Sequence, residues 1–525
     1  MFKGHLTDGW FRRKFSVVGA IVLAFFCMVE VFAAQDGSAV VNPVLPGFHS
    51  DPSVCKGPDG KFHLAVSSFQ FFPGLPLFVS EDLVHWQSEG FVFTDPKDLP
   101  LYDTSDISGL YAPTYRYQDG QYHIIVQNKG GRPDGTCDGN LYATATTPAG
   151  PWTIRHARVP AADPSIDFID GKWHYTAATG HEIVYGVFDP QRASLVGPAK
   201  PIWVGTGGIW PEGSHLFKRG GWYYLLIAEG GTQYGHKCVI ARSRAVDGPY
   251  DGCPRNPILT HACHAAYGNV FQGVAHGDFV EDADGKWWYV FHGFRKQDAK
   301  HHLIGRETML APVEWGDDEW PVINGGRPIS DEKVNVNDLP PVAWTHIRNP
   351  DASRYAFSGD SVRLTAATNT LYEFGSPTFV GTRQTAIRQV FSAKLLSADD
   401  GAEAGIVAYM NRPANHALVV SRRKGHRVAY LRSVLAGKVY RDPEVDIADG
   451  EQVLRVEASA KEYRFFVGDA LVGSAPSRLI SSETDDSFTG VFLGVFAEGR
   501  GQASFDGMQL VSPKAQARGN RTLLE

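Results

Sequence analysis

Three carboxylates at matched places in a repeating chain are the residues best equipped for chemistry. They are Asp51 in Phe48-His-Ser-Asp-Pro-Ser, Asp163 in Ala162-Asp-Pro-Ser-Ile, and Glu212 in Trp210-Pro-Glu-Gly-Ser-His. Each alone has an ordinary explanation. Asp before Pro starts turns, because its side chain hydrogen-bonds the backbone ahead, and Glu212 could simply end a strand. Together they are harder to dismiss, since packing gives no reason to concentrate negative charge. Carboxyls brought close raise one another's pKa, so one can keep its proton while another stays ionised, which is the equipment of general acid–base work.

The matching rests on five hairpin signatures. Gly60, Gly120, Gly171, Gly221 and Gly285 each precede a short aromatic or branched run, and aspartate stands before the glycine in four of the five. Asp-Gly between alternating apolar residues predicts a tight β-hairpin. The glycines are 60, 51, 50 and 64 residues apart, the spacing of propeller blades built from short strands. Eight or nine residues before each glycine stand Asp51, Ala112, Asp163, Glu212 and His276. In a propeller the first strand of each blade lines the central channel, so these five are expected to meet at one mouth of it.

The bulk composition agrees with a globular enzyme. The 525 residues are too many for one core, and 43% hydrophobic with 20% charged residues excludes a disordered chain. A net charge of −7 without a long basic run argues against a nucleic-acid partner. Residues 1–34 read as a signal peptide: Arg12-Arg-Lys14 precedes an apolar stretch, Phe15 to Phe32, and Ala33-Ala34 offers a cleavage site. The expected location is periplasmic or secreted, with no membrane association after signal removal. An uncleaved anchor is the rival reading, and Phe11 to Phe15 faintly resembles a twin-arginine signal. Five cysteines remain beyond the signal, of which Cys253 and Cys263 are near enough in sequence to close a loop. His261-Ala-Cys263-His264 superficially suggests metal ligands, but lacks the second cluster that a zinc site requires.

Several of these motifs, namely Asn42 to Val54, Ala162 to Phe168, Trp210 to Lys218, Ala228 to His236 and Gly305 to Trp315, resemble glycoside hydrolase family 43. The likeness is greatest to its β-xylosidases with a C-terminal β-sandwich, and it covers roughly residues 40 to 512. It implies a five-bladed propeller, taken over residues 40–324, while composition and strand patterning give a polar linker over 325–341, a β-sandwich over 342–511 and a polar, disordered tail over 512–525. It further implies that Asp51 is the general base, Glu212 the general acid, and Asp163 the carboxylate that tunes and orients the acid. Arg306 would reach the sugar, and Phe69, Tyr111, Ala112, Pro113 and Thr232 would wall the pocket. His276 matches a channel histidine that in some relatives helps hold a water-coordinated calcium ion, so calcium is allowed but no cofactor is required. Tyr111, Ala162 and Ser214 depart from the usual pattern of Trp, Phe and Pro; two of the three reshape the pocket.

The chemistry implied is hydrolysis of a small or hemicellulose-derived oligosaccharide. One protonated carboxyl serves the leaving oxygen and one carboxylate activates water on the opposite face, about 6.5–9.5 Å away for inversion. The expected reaction is exo-release of β-D-xylosyl units from xylo-oligosaccharides. α-L-Arabinofuranosyl release is the close alternative, and a non-catalytic sugar-binding propeller the distant one. After Asn324 the chain turns to alternating strands with Gly and Asp turns, for example Ala386–Phe391, Ala404–Tyr409, His416–Ser421 and Val491–Phe496. No carboxylate constellation appears there; by resemblance this second domain packs on the first and lends a loop to its pocket, with an independent carbohydrate-binding role as the rival reading.

Overall fold

The computed structural model describes residues 40–101, 104–130, 139–160, 162–330, 334 and 344–513. The expected signal, most of the expected linker, nearly all of the tail and Cys137 lie outside the described residues.

Five antiparallel sheets of four or five strands follow one another along residues 53–323 as the blades of a propeller. The first strand of each is Ser53–Lys56, Gly109–Gln118, Ala162–Ile169, Glu212–Arg219 and Phe271–Glu281. Each pairs through a hairpin with the next strand, and Gly60, Gly120, Gly171, Gly221 and Gly285 all sit in those turns with φ between 76° and 81°. That left-handed backbone is what glycine supplies without a Cβ clash. The ring is closed through the segment before blade 1: Asn42 exchanges two hydrogen bonds with Leu310, and Leu45 bridges Thr308 on blade 5.

Two seven-stranded antiparallel sheets face each other in the second half of the chain. One includes Gln389–Ala398, Gln452–Ala458 and Gln502–Val511, and the other includes Ala402–Asn411, Ala414–Arg423 and Phe492–Gly499. Their inner faces bury Phe391, Leu395, Ile406, Leu418, Val456, Phe465 and Val495, giving the expected sandwich. The strand expected over Ala386–Phe391 begins only at Gln389, because Gln389 Oε1 is turned back onto the Thr385 and Ala386 N–H groups.

The sandwich is seated on the propeller through an apolar seam. Phe48, Phe69 and Phe71 of the propeller share one buried cluster with Phe379, Tyr409, Phe492 and Phe496, and the Phe71 and Phe492 rings stack at 3.9 Å. Hydrogen bonds fix the register of the two parts. Arg383 Nε donates to Phe48 O (2.8 Å), Arg348 Nε to Thr104 O (2.8 Å) and Arg295 to Thr385 O (2.9 Å).

Candidate active site

Near the start of each blade's first strand one residue is held in left-handed backbone: Asp51 (φ 54°), Ala112 (39°), Asp163 (45°), Gly213 (57°) and His276 (43°). In blades 2 to 5 a bulge marks the spot, and bulges re-aim side chains next to active sites. The expected repeat position is therefore occupied by Gly213 in blade 4, and Glu212 stands one residue earlier, level with Ser50, Tyr111, Ala162 and Ala275. A count that admits eight or nine residues before each hairpin glycine does not separate the two positions, since Gly213 lies eight and Glu212 nine before Gly221. Glycine is needed at 213: a Cβ there would lie 2.7 Å from His276 Nε2.

Asp51 is buried, and both its oxygens are engaged. Oδ1 accepts from Arg306 at 2.7 Å; Oδ2 accepts from Ser67 Oγ at 2.6 Å and Ser50 Oγ at 2.9 Å. Ser67 Oγ in turn accepts the Ala112 N–H (2.8 Å), leaving its own proton for Asp51. The Asp51 N–H donates to His292 Nδ1 (3.1 Å), and His276 Nδ1 stands 3.8 Å from Oδ1. Burial pushes the Asp51 pKa up, but the Arg306 guanidinium, the strongest opposing influence, holds the group well below the usual carboxylate range. Burial and Arg306 lower His292 itself to about 3, so it is a neutral ring at working pH.

Glu212 has the opposite electrostatics. Burial, then the charges of Asp163 and Asp51, hold its carboxyl well above the ordinary value against the weaker pull of Arg306. Asp163 is also raised, by burial and by Asp51, while His276 and the Gly213 N–H pull it down. Two carboxyls that repel each other titrate as a pair, and because His276 and the Gly213 N–H favour the Asp163 anion, Glu212 is where the proton stays.

The expected wall residues fall into two groups. Arg306 donates to Thr232 Oγ1 (2.8 Å), and its guanidinium lies 5.6 Å from the Phe69 ring, which meets Tyr111 at 4.7 Å. The Tyr111 hydroxyl donates to Ile107 O. Ala112 and Pro113 form the blade 2 bulge, where Ala112 contributes through its backbone N–H. Sequence reasoning missed Ser67, His292 and Phe488. Phe488 comes from the sandwich: its ring lies 5.8 Å from the Arg306 guanidinium and 6.0 Å from Phe69, and its carbonyl accepts from Arg306 (3.3 Å).

Donor atoms of Glu212, His236 and His276 lie within 4.8 Å of one another. One carboxylate and two imidazoles are a poor set for calcium, which favours six to eight oxygens. The channel's further carboxylates, Asp167 and Asp278, are already paired with Arg116 at 2.8 and 2.6 Å. The other metal suggestion has a structural answer: His261 Nδ1 bonds Phe271 O (2.7 Å) and its Nε2 accepts the Ile329 N–H (2.9 Å). Cys253 and Cys263 are both free, so no disulfide closes that loop.

Comparison with known proteins places this geometry among related chains. Residues 40–321 match the family model for glycosyl hydrolases family 43, and residues 337–509 that for the beta xylosidase C-terminal concanavalin A-like domain. The chain is 36% identical over 517 residues to a non-reducing end alpha-L-arabinofuranosidase of Bacteroides ovatus, covering 92% of this chain and 96% of that one. It is 32% identical over 511 residues to a xylosidase/arabinosidase of Butyrivibrio fibrisolvens, covering 88% and 96%. A solved xylan beta-1,4-xylosidase from Bacillus halodurans superposes with a TM-score of 0.82 at 26% identity, covering 90% of this chain and 99% of that one.

Proposed function

This chain belongs to glycosyl hydrolase family 43 and is a glycoside hydrolase, and from that premise we propose that it removes single pentosyl units from chain ends with inversion, β-D-xylosyl units first. The observation that carries the reading is the electrostatic contrast at one channel mouth. Asp51 is held ionised and Glu212 protonated, the division that inverting hydrolysis needs. Asp51 takes a proton from the attacking water while Glu212 gives its own to the departing oxygen. Asp163 keeps Glu212 protonated between turnovers, and Arg306, bonded to Asp51 at 2.7 Å, is the cation that reaches the sugar bound beside that base. Phe488 over Arg306 at one end and the filled channel at the other support a pocket for a chain end rather than an open cleft. Export to the periplasm or medium, resting on residues 1–34, would bring the enzyme to hemicellulose fragments.

A second reading, α-L-arabinofuranosyl release, is favoured by the arabinofuranosidase named among the similar proteins and by Ala162 and Tyr111 at the pocket. Rates on aryl β-D-xyloside and aryl α-L-arabinofuranoside separate the two. A dominant xyloside rate is expected, and an arabinoside rate with negligible xyloside turnover would install the second reading. Proton NMR of the first-formed sugar should show the inverted anomer; direct formation of the retained anomer removes Asp51 as base.

A further inference from the structure

Below the carboxylates, the first strands of all five blades meet on one side chain. Arg116, from blade 2, donates through Nε to Asp167 Oδ1 of blade 3 at 2.8 Å. One terminal nitrogen donates to Asp278 Oδ2 of blade 5 (2.6 Å) and to Ser53 Oγ of blade 1 (3.1 Å). The other meets His215 Nδ1 of blade 4 at 3.1 Å and Asp278 Oδ1 at 3.3 Å. The same nitrogen that reaches Ser53 also donates to the Tyr115 carbonyl (2.8 Å). The two carboxylates have further donors: Ser53 Oγ bonds Asp278 (2.9 Å), while Ser165 Oγ and the Leu216 N–H bond Asp167 (both 3.0 Å). The second negative charge is thus met by hydrogen bonds rather than by another cation.

Two buried carboxylates facing each other across a channel, with a serine hydroxyl and an imidazole beside them, are an arrangement that invites a divalent cation. We propose that Arg116 is the resident cation of this channel, filling the place such an ion would take, and that it positions the catalytic mouth without a metal. The reach to the mouth is short. Asp278 is two residues along its strand from His276, Asp167 four from Asp163, and His215 three from Glu212, so a guanidinium tying 167, 215 and 278 together fixes the strands that carry the site. A fork with five donors suits this task, since it meets two carboxylates at once in a fixed plane.

The proposal predicts a protein indifferent to chelation that can be converted into a calcium-responsive one. Wild-type protein dialysed against EDTA is compared with the same protein given CaCl2, reading kcat/KM and Tm; both should stay unchanged. In Arg116→Ala the carboxylates lose their partner. Its Tm should then rise by roughly 3 °C once calcium exceeds its Kd about a hundredfold, with lost activity partly restored. Arg116→Lys keeps a cation in place and should show no calcium response. The proposal is overturned if the wild type loses activity or Tm in EDTA and regains it with calcium. It is equally overturned if Arg116→Ala keeps wild-type Tm and activity with no calcium effect. Should Arg116→Ala not fold even with calcium, a calcium-dependent Arg116→Lys would overturn it and a calcium-indifferent one would sustain it.

Discussion

At the scale of residues, the proposed acid and base differ by what surrounds identical functional groups. Asp51 has Arg306 and two serine hydroxyls; Glu212 has burial and two like charges. Glu212 must be protonated to act, and its pKa is raised, so activity persists as pH rises and falls once pH passes that raised value. Asp163→Asn removes one repelling charge, lowers the Glu212 pKa and should move the basic limb of the pH–rate profile to lower pH. Burial still acts, so the move is partial; a limb displaced by one pH unit corresponds to about 1.4 kcal/mol of lost repulsion. An unmoved limb would leave Asp163 as a sugar ligand or turn former. Asp51 works in the other direction: its depressed pKa keeps the base ionised well into acid. Glu212→Gln should lose little on an activated aryl glycoside, roughly tenfold to a hundredfold less than on a natural disaccharide, since a good leaving group needs no proton. Equal losses in kcat/KM on both substrates would refute the acid role.

At the scale of elements, the five first strands, four of them bulged, do the positioning, and they show how far the sequence could be read. Asp-Gly turns and aromatic runs announced the blades, because hairpin chemistry is local. Glu212 was recognisable as a site residue but not its exact place, since a bulge adds a residue that no periodicity records. His292 was hidden for another reason: it lies in mid-strand among apolar neighbours, where a histidine reads as core. The resemblance implied that the sandwich lends a loop to the pocket, but no local pattern picked out Phe488, which the packing of that downstream domain carries against Arg306 and Phe69. The blade 4 bulge is testable by Gly213→Ala. The left-handed φ costs roughly 1–2 kcal/mol for a residue with a Cβ, and the new methyl meets His276. A fall of at least about tenfold in kcat/KM with a modest loss of Tm is expected; unchanged kinetics would mean that His276 and Glu212 tolerate displacement.

At the scale of the whole molecule, the aromatic seam makes propeller and sandwich one working body. Phe492 stacks on Phe71, contacts the Arg383 guanidinium and is fully buried. Phe492→Ala should cost about 3–5 kcal/mol, the usual range for emptying a buried Phe site, and should raise KM because Phe488 lies four residues away on the same approach. Urea denaturation and steady-state kinetics check the two effects; a stability loss below about 1 kcal/mol would show that the seam is not structural. The hairpins lie at the other end of each blade's first strand from the bulges, some 20 Å away at the rise of a β-strand. At Gly60, Gly120 and Gly171 nothing stands within 4 Å of where a side chain would begin. That rim is where an affinity tag, a surface tether or a fused partner enzyme can be grafted, leaving the working mouth turned outward to the polymer.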